Sequence, residues 1–395
     1  MGAKHSQSGG VSRRVLYAQY AASGGYPPLL HSARMLVRSG WEVRCLAVGA
    51  YGTERLRLEG DAGIQVTELQ YCPPGWWQKL HYLAFCFRTI LMTCVWRPSW
   101  LYASDLLACP AALVASYLPP LRVIYHEHDS PNGSERSILL RACLWTRRQL
   151  ARRAELCILP NQRRAEVFAH TTGRRQAAVV WNCPLRSDVP AAPLAPHGAS
   201  SDGLLLYFHG SVNPVRLPEA TLTALANTPR CVRLRVVGYE TIGHTGYVAR
   251  LQEVTRELGI SDRVEFLGAV PRERLFGLAS ECHVGLAFMP TASNDVNHRH
   301  MAGASNKPFE YLACGLALLV SDLPDWRECY VEPGYGRACD PQNPRSVAEA
   351  LRWFLAHQGE TRAMGQRGRE RILAEWNYER EFAAVMQRMN DGARP

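Results

Sequence analysis

"SNKPFEYLACGLALLVSDLPDWRE", residues 305–328, is the stretch from which the fold can be read. Asn306 can cap a helix, Pro308 suits its first turn and Gly315 can end it. "LALLV" (316–320) follows as a short unbroken apolar run, the pattern of a strand buried on both faces of a parallel sheet. A helix N-terminus carries unpaired N–H groups and about half a positive charge, so the turn before this helix is a seat for a phosphate. Glu310 stands beside that seat. Its carboxylate can accept both hydrogens of a vicinal diol, as an acidic residue does with ribose in dinucleotide folds, or it can simply offset the helix dipole.

The same rhythm of strand and helix runs through the rest of the chain. "RVLYAQY" (14–20), "EVRCLAVG" (42–49), "SWLYAS" (99–104) and "RVIYHEH" (122–128) read as strands, and "YPPLLHSARMLVRSG" (26–40) as a helix ending at Gly40. From Gly203 onward the alternation restarts with "GLLLYFHG", "RLRVVG", "RVEFLG" and "VGLAF". Strands separated by helices predict an α/β fold with parallel, doubly wound sheets. Between the two series runs "RSDVPAAPLAPHGASSD" (186–202), a linker rich in Pro, Ala and Ser. The expected organisation is a Rossmann-like domain over 1–185, a linker over 186–203, a second Rossmann-like domain over 204–375 and a final helical segment over 376–395. Ligands in such folds bind beyond the carboxyl ends of the strands, so a crevice between the two domains is the expected site.

Composition agrees with two globular domains. The 395 residues exceed one ordinary core, and 47% hydrophobic with 20% charged residues excludes a disordered chain. Thirteen cysteines, an odd number without any C-x-x-C pair, argue against a disulfide framework or zinc site and for a reducing cytoplasm. The start, "MGAKHSQSGGVSRR", has no apolar core of a signal peptide, although Gly2 and Ser6 fit the loose myristoylation pattern. Charge is unevenly spread. Residues 1–184 hold 22 Lys+Arg against 11 Asp+Glu, and the remainder 23 against 24. The excess is densest in "RRQLARRAELCILPNQRR" (147–164), which suits an anionic partner such as a membrane surface, a phosphorylated acceptor or nucleic acid, or else a solvated helix face. "WWQKLHYLAFCFRTILMTCVW" (76–96) has the length of a membrane span, but Lys79, His81 and Arg88 interrupt it. A core helix is expected, with membrane contact as the alternative that its terminal tryptophans allow.

Taken in order, these motifs resemble the retaining, nucleotide-sugar-dependent glycosyltransferases of family 4, which have the GT-B fold of two Rossmann-like domains. "FHGSVNP" (208–214) resembles the family's first strand and phosphate turn in the second domain, and "SNKPFEYLACGLALLVSD" its N-K-x-F-E-Y helix. The resemblance implies that Glu310 binds the donor ribose and that Ser305, Asn306 and Lys307 hold the diphosphate beside Gly210 and Ser211. "SGGYPP" (23–28) resembles the glycine loop, so Gly24 and Gly25 would let backbone N–H groups approach the donor. "VIYHEHDSP" places His126 where the family has a histidine touching the transferred sugar. "WNYEREFAAVMQRM" (376–389) resembles the C-terminal helix that crosses back to the first domain.

Departures from the family pattern fall on charged donor contacts. The glutamate that often stands eight residues before the ribose glutamate is Ala302, the arginine after the phosphate-turn glycine is Ser211, and a lysine–glycine pair is Arg216–Leu217. Arg216, Arg299 or Lys307 could carry the cationic charge a leaving diphosphate needs, and His126, Lys307 and Arg216 are the expected catalytic set. No D-x-D occurs, and the ligand-type side chains of "HEHD" (126–129) alternate faces on a strand, so no metal is expected. The implied activity is hexosyl transfer from a nucleoside diphosphate sugar, without cofactor or nucleic acid, to a saccharide or lipid-linked acceptor, in the cytoplasm or peripherally at its membrane face. Competing readings are a non-catalytic sugar-nucleotide scaffold, a transferase acting on a soluble natural product, or an epimerase of the same fold.

Overall fold

The computed structural model describes residues 13–24, 26–49, 63–131, 137–191 and 203–391. Gly2, Gly25 and linker residues 192–202 lie outside the described residues. The chain divides into two compact units, one of Met1–Val180 with Glu381–Pro395, the other of Trp181–Arg380.

The first unit holds a seven-stranded sheet of β1 (Arg14–Gln19), β2 (Glu42–Val48), β3 (Ile64–Leu69), β4 (Trp100–Ser104), β5 (Arg122–His126), β6 (Leu156–Leu159) and β7 (Ala178–Val179). The order is β3-β2-β1-β4-β5-β6-β7, with every pairing parallel. Central strands are apolar throughout because helices cover both faces. β3, which carries no continuous apolar run, is an edge strand whose alternate residues face solvent. On one face Leu16, Ala18, Leu101 and Tyr125 pack against Phe85 of the Trp76–Trp96 helix and Leu150 of the Ile138–Arg153 helix. On the other, Tyr17 Oη donates to Ser32 Oγ of the Pro27–Arg38 helix at 3.0 Å. The Ala383–Asp391 helix joins this unit as well: Trp41 Nε1 donates to Asn390 Oδ1 at 3.2 Å, and Arg388 pairs with Glu155.

Two expectations for this unit are corrected. The Trp76–Trp96 helix buries only a stripe of Tyr82, Phe85, Thr89, Thr93 and Trp96, and its opposite face is apolar and exposed. No helix among the described residues is long and apolar enough to cross a membrane. The 147–164 run is not wholly surface either: two of its arginines turn inward. Arg147 is buried in a bidentate pair with Glu127, at 2.5 Å from Nε and 2.9 Å from Nη2, and the buried Arg164 donates to the His128 carbonyl at 2.7 Å.

The second unit holds β8 (Leu204–Val212), β9 (Val232–Glu240), β10 (Val264–Phe266), β11 (Val284–Ala287), β12 (Ala317–Ser321) and β13 (Gly336–Cys339), all parallel in the order β10-β9-β8-β11-β12-β13. In both units the order reverses beside the first strand, between β1 and β4 and between β8 and β11. The opening stretch folds into a helix over Asn306–Ala313 and the wholly buried β12. Ser305, not Asn306, is the N-cap residue, and Gly315 leaves the helix at φ 80°.

That helix is gripped from both sides. Phe309 lies 5.7 Å from Trp181, 5.6 Å from Trp376 and 6.0 Å from Tyr330, centroid to centroid. The first residues after the unit boundary form a strap on the same body: Asn182 donates to the carbonyls of Gly303 and Ala304, and Arg369 to that of Pro190. The start of the expected linker is therefore packed structure. On the opposite side Tyr311 presses onto Gly285 of β11, where an added Cβ would meet the ring at 2.3 Å, and its hydroxyl accepts the His209 N–H at 3.1 Å. Gly285→Ala is accordingly expected to overpack this contact and cost about 1–3 kcal/mol. Urea unfolding checks it: a lowered midpoint at unchanged slope is the expected outcome, and a wild-type midpoint would show that the ring yields freely.

Candidate functional site

In the second unit, charged and polar groups from distant parts of the chain converge on Glu310. Its side chain is 6% exposed. His209, at the end of β8, brings Nε2 to 2.8 Å from one carboxylate oxygen, and Arg272, the first residue of the Arg272–Ser280 helix, brings Nη2 to 2.7 Å from the other. Burial alone would raise this carboxyl. The charge of Arg272 and the hydrogen bond from His209 overcome that and hold Glu310 ionised, far below the usual carboxylate range. Burial lowers His209 despite the carboxylate beside it, so the imidazole is neutral and must carry its proton on Nε2 to donate. Each oxygen has accepted one hydrogen bond. An ionised carboxylate offers about four lone-pair sites, so a diol can share both oxygens with these partners.

Lys307, one turn before Glu310, lies across Gly210. A Cβ built there would sit 3.1 Å from the lysine Cε and 3.2 Å from Nζ, and Gly210 has φ 106°, so glycine answers both the space and the backbone. Lys307 Nζ also stands 5.6 Å from the Phe208 ring centroid. Burial lowers this amine to about 7, the nearby Arg216 charge adds to the effect and Glu310 opposes it. Arg216 is held in the turn after β8, where its N–H donates to Asn213 Oδ1 at 3.0 Å. Ser305 and Asn306 open the helix beside them, and Asn306 Oδ1 is buried without a hydrogen-bond partner among the described residues. Ser211 follows Gly210 in β8. The result is a cationic cradle at a topological switch point with one fixed carboxylate.

The first unit carries a separate constellation at the ends of β1, β4 and β5, where Gln19, Ser104 and His126 are in register. His126 Nδ1 lies 2.5 Å from Tyr102 Oη, and the rings of His126, His128 and Tyr26 stack in sequence at 3.9 and 4.9 Å. Burial holds His126 well below the usual histidine range and His128 at about 3, so both are neutral. A cavity of about 270 Å³ opens here, lined by Gln19, Tyr26, Ser104, Asp105, Asp129 and Ser130 among others. Asp105 accepts the His128 N–H at 2.7 Å from a strained backbone with φ 62°. Burial first, then Asp129, raise its carboxyl to about 8. Gly24 belongs to the turn after β1, and Gly25 lies outside the described residues. Among the described residues no group of three or more His, Cys, Asp or Glu side chains is placed to hold a metal ion.

Comparison with known proteins decides what these sites belong to. Residues 24–183 match the family described as "Glycosyl transferase 4-like domain", and residues 216–387 match the one described as "Glycosyl transferase-like". The chain belongs to the group 1 glycosyltransferases. Its fold is that of GT-B transferases: Anabaena HepE, solved with UDP and glucose, superposes with TM-score 0.73 at 18% identity, covering 96% of this chain and 99% of that one. Sucrose-phosphate synthase of Thermosynechococcus elongatus gives 0.74 at 17% identity over 96% and 99%. The O-antigen biosynthesis protein RfbC of Myxococcus xanthus is 31% identical over 138 residues, which is 35% of this chain and 10% of RfbC. The matched segment thus spans about a tenth of that relative's length.

Of the residues expected from the sequence, the structure brings Gly210, Arg216, Lys307 and Glu310 together in the second unit, and places His126 and Gly24 in the first. Arg299 ends the short Val296–Arg299 helix. Sequence reading missed His209 and Arg272, which fix Glu310, as well as Asp105. It also missed Asp325, whose carboxyl accepts the backbone N–H of Ala302, where a family glutamate is lacking. Only His209, next to the phosphate-turn glycine, carried a local signal. Lys307 yields a prediction whose sign is fixed. Its amine is largely neutral above pH 7, and a diphosphate bound beside it would restore the charge, so binding of the nucleoside diphosphate expected from the sequence should take up close to one proton near pH 8 and weaken as pH rises from about 7. Calorimetry in buffers of different ionisation enthalpy measures this, and Lys307→Met should abolish it. Uptake that persists in the variant would assign the proton elsewhere.

Proposed function

We propose that the transferase moves a hexosyl group from a nucleoside diphosphate sugar to an acceptor hydroxyl with retention at the anomeric carbon. The observation that carries this reading is the cradle of Lys307, Gly210, Arg216 and the fixed carboxylate of Glu310. A helix N-terminus and two cations suit a diphosphate, and the carboxylate suits the ribose diol. HepE, solved with UDP, glucose and UDP-glucose, makes uridine nucleotides the first donors to try. In the reaction the bond from the anomeric carbon to the diphosphate oxygen breaks, its electron pair leaving with the diphosphate. The acceptor oxygen bonds to the same face of that carbon, and its proton passes to the departing diphosphate. Lys307 and Arg216 would stabilise the charge that develops there, a role for which no metal is invoked. His126, kept neutral, suits contact with sugar hydroxyls, and the first-unit cavity suits the acceptor. A saccharide carried on a lipid phosphate at an anionic cytoplasmic membrane face is the acceptor proposed. Thirteen free cysteines are consistent with that reducing compartment.

A non-catalytic sugar-nucleotide scaffold is the second reading, favoured by Ala302 and Ser211 standing where the family's charged contacts are absent. A thermal-shift screen of UDP, GDP, ADP and dTDP with their sugars, followed by donor hydrolysis, separates the two. A ligand at 100 times its dissociation constant adds about 2.7 kcal/mol. Slow release of nucleoside diphosphate supports the transferase, and binding without turnover supports the scaffold. The anomeric configuration of the product, read by NMR, tests retention. Lys307→Ala and Arg216→Ala should each lower turnover about 100-fold, the scale of one lost transition-state contact, while sparing binding of the neutral nucleoside. Equal loss of nucleoside binding would point to misfolding. Glu310→Gln should weaken nucleoside diphosphate binding by about 1.5–3 kcal/mol. It should also lower stability, because Arg272 loses its buried counter-charge. Donor affinity equal to wild type would remove Glu310 from the ribose site.

A further inference from the structure

The Trp76–Trp96 helix of the first unit is apolar on two opposite faces. One closes the core, through Tyr82, Phe85 and Trp96. The other faces outward: Trp77 is 74% exposed, Phe87 66% and Val95 75%, with Leu80, Leu83 and Leu91 between them on the same side. Lys79 and Arg88 are exposed at the flanks of that stripe, and the helix carries no Asp or Glu. The Ile138–Arg153 helix adjoins it, since Tyr82 Oη reaches Cys143 Sγ at 3.4 Å. Its exposed residues follow a helical period through Ile138 (84%), Arg141, Trp145 (60%), Arg148 and Arg152, and it too has no acidic residue. Arg148 and Arg152 spend one N–H each on carbonyls of Thr171 and Thr172, contacts that leave their charge intact.

Large apolar side chains interleaved with cations, and no anions, are the chemistry of a surface that lies in the headgroup region of a bilayer. An isolated exposed leucine would mean nothing, but six large apolar side chains along one side of a single helix do. A second copy of the chain is a poor occupant. A two-fold interface would set Arg88 and Arg141 against cations of the same patch, with no acidic side chain on either helix to offset them. We propose that these two helices form a docking face for an anionic lipid bilayer, with the aromatic and aliphatic side chains entering the headgroup layer and the arginines meeting lipid phosphates. In serving a lipid-borne acceptor the proposal rests on the transferase reading above, although the surface is argued from its own residues.

Flotation of the full chain with vesicles tests it. With vesicles of about 30% phosphatidylserine in phosphatidylcholine at ~50 mM salt, the protein should float. At ~500 mM salt, or with phosphatidylcholine alone, bound protein should fall at least about tenfold, because salt screens the cations. Trp77→Glu with Phe87→Glu, and separately Arg88→Glu with Arg141→Glu, should each reduce flotation about tenfold or more. All four side chains are exposed, so the unfolding midpoint should stay at the wild-type value. Absence of flotation at low salt, or variants that float like wild type, overturns the proposal. So does a dimer seen by light scattering that Phe87→Glu dissociates while vesicles capture nothing, since a second copy would then cover the face. UDP-induced thermal shifts on the same samples keep the two readings apart. A UDP shift without flotation sinks only the docking face, and flotation without nucleotide binding or turnover sinks only the transferase.

Discussion

A buried carboxylate must be ionised by its neighbours or give up its charge, and Glu310 meets that constraint with one cation and one neutral donor. Arg272 supplies the charge and His209 the second hydrogen bond. Much of the second unit's arrangement follows from holding those three groups in register. Tyr311, the next residue, can receive the His209 N–H only because Gly285 leaves room for its ring. Phe309, the previous one, is fixed by Trp181 and Trp376 from the two ends of the unit. Lys307 then sits near one cation, Arg216, and one anion, Glu310, and burial leaves its own charge easily lost. Lys307 is thus close to losing its proton, and an anion bound beside it would hold that proton in place.

How far the sequence could carry this depends on distance along the chain. The helix and strand of 305–321, the two parallel sheets and the position of Glu310 were legible, because caps, glycines and apolar runs are local signals. The cap itself fell one residue early, at Ser305. Arg272 and His209 were not legible as partners of Glu310, lying 38 and 101 residues away. Charge runs misled for the same reason. Arg147 belongs to a cluster of arginines in sequence, yet its counter-ion is Glu127, 20 residues upstream and just past the end of β5. An apolar 21-residue helix looks like core when its two faces cannot be told apart. Only packing showed that one of them has nothing among the described residues to cover it.

The same contrast separates the two ligand regions. The first unit holds the whole positive excess of the chain, but its strand-end cavity is lined by Asp105 and Asp129 and bordered by neutral imidazoles. Its arginines are spent on interior pairing or displayed on outer helices. The second unit is nearly neutral overall and gathers its cations at the strand ends. Net charge per domain therefore predicts neither site. Where the charge sits relative to the carboxyl edge of the sheet does.

The second unit is one continuous segment, Trp181–Arg380, whereas the first is made of two pieces joined through Trp41, Asn390, Glu155 and Arg388. On the ribosome this sets an order of completion. The second unit can finish folding as soon as its last residue emerges, while the earlier-made body waits, with Trp41 lacking its partner, until residues 383–391 arrive. The part synthesised first is thus the part finished last.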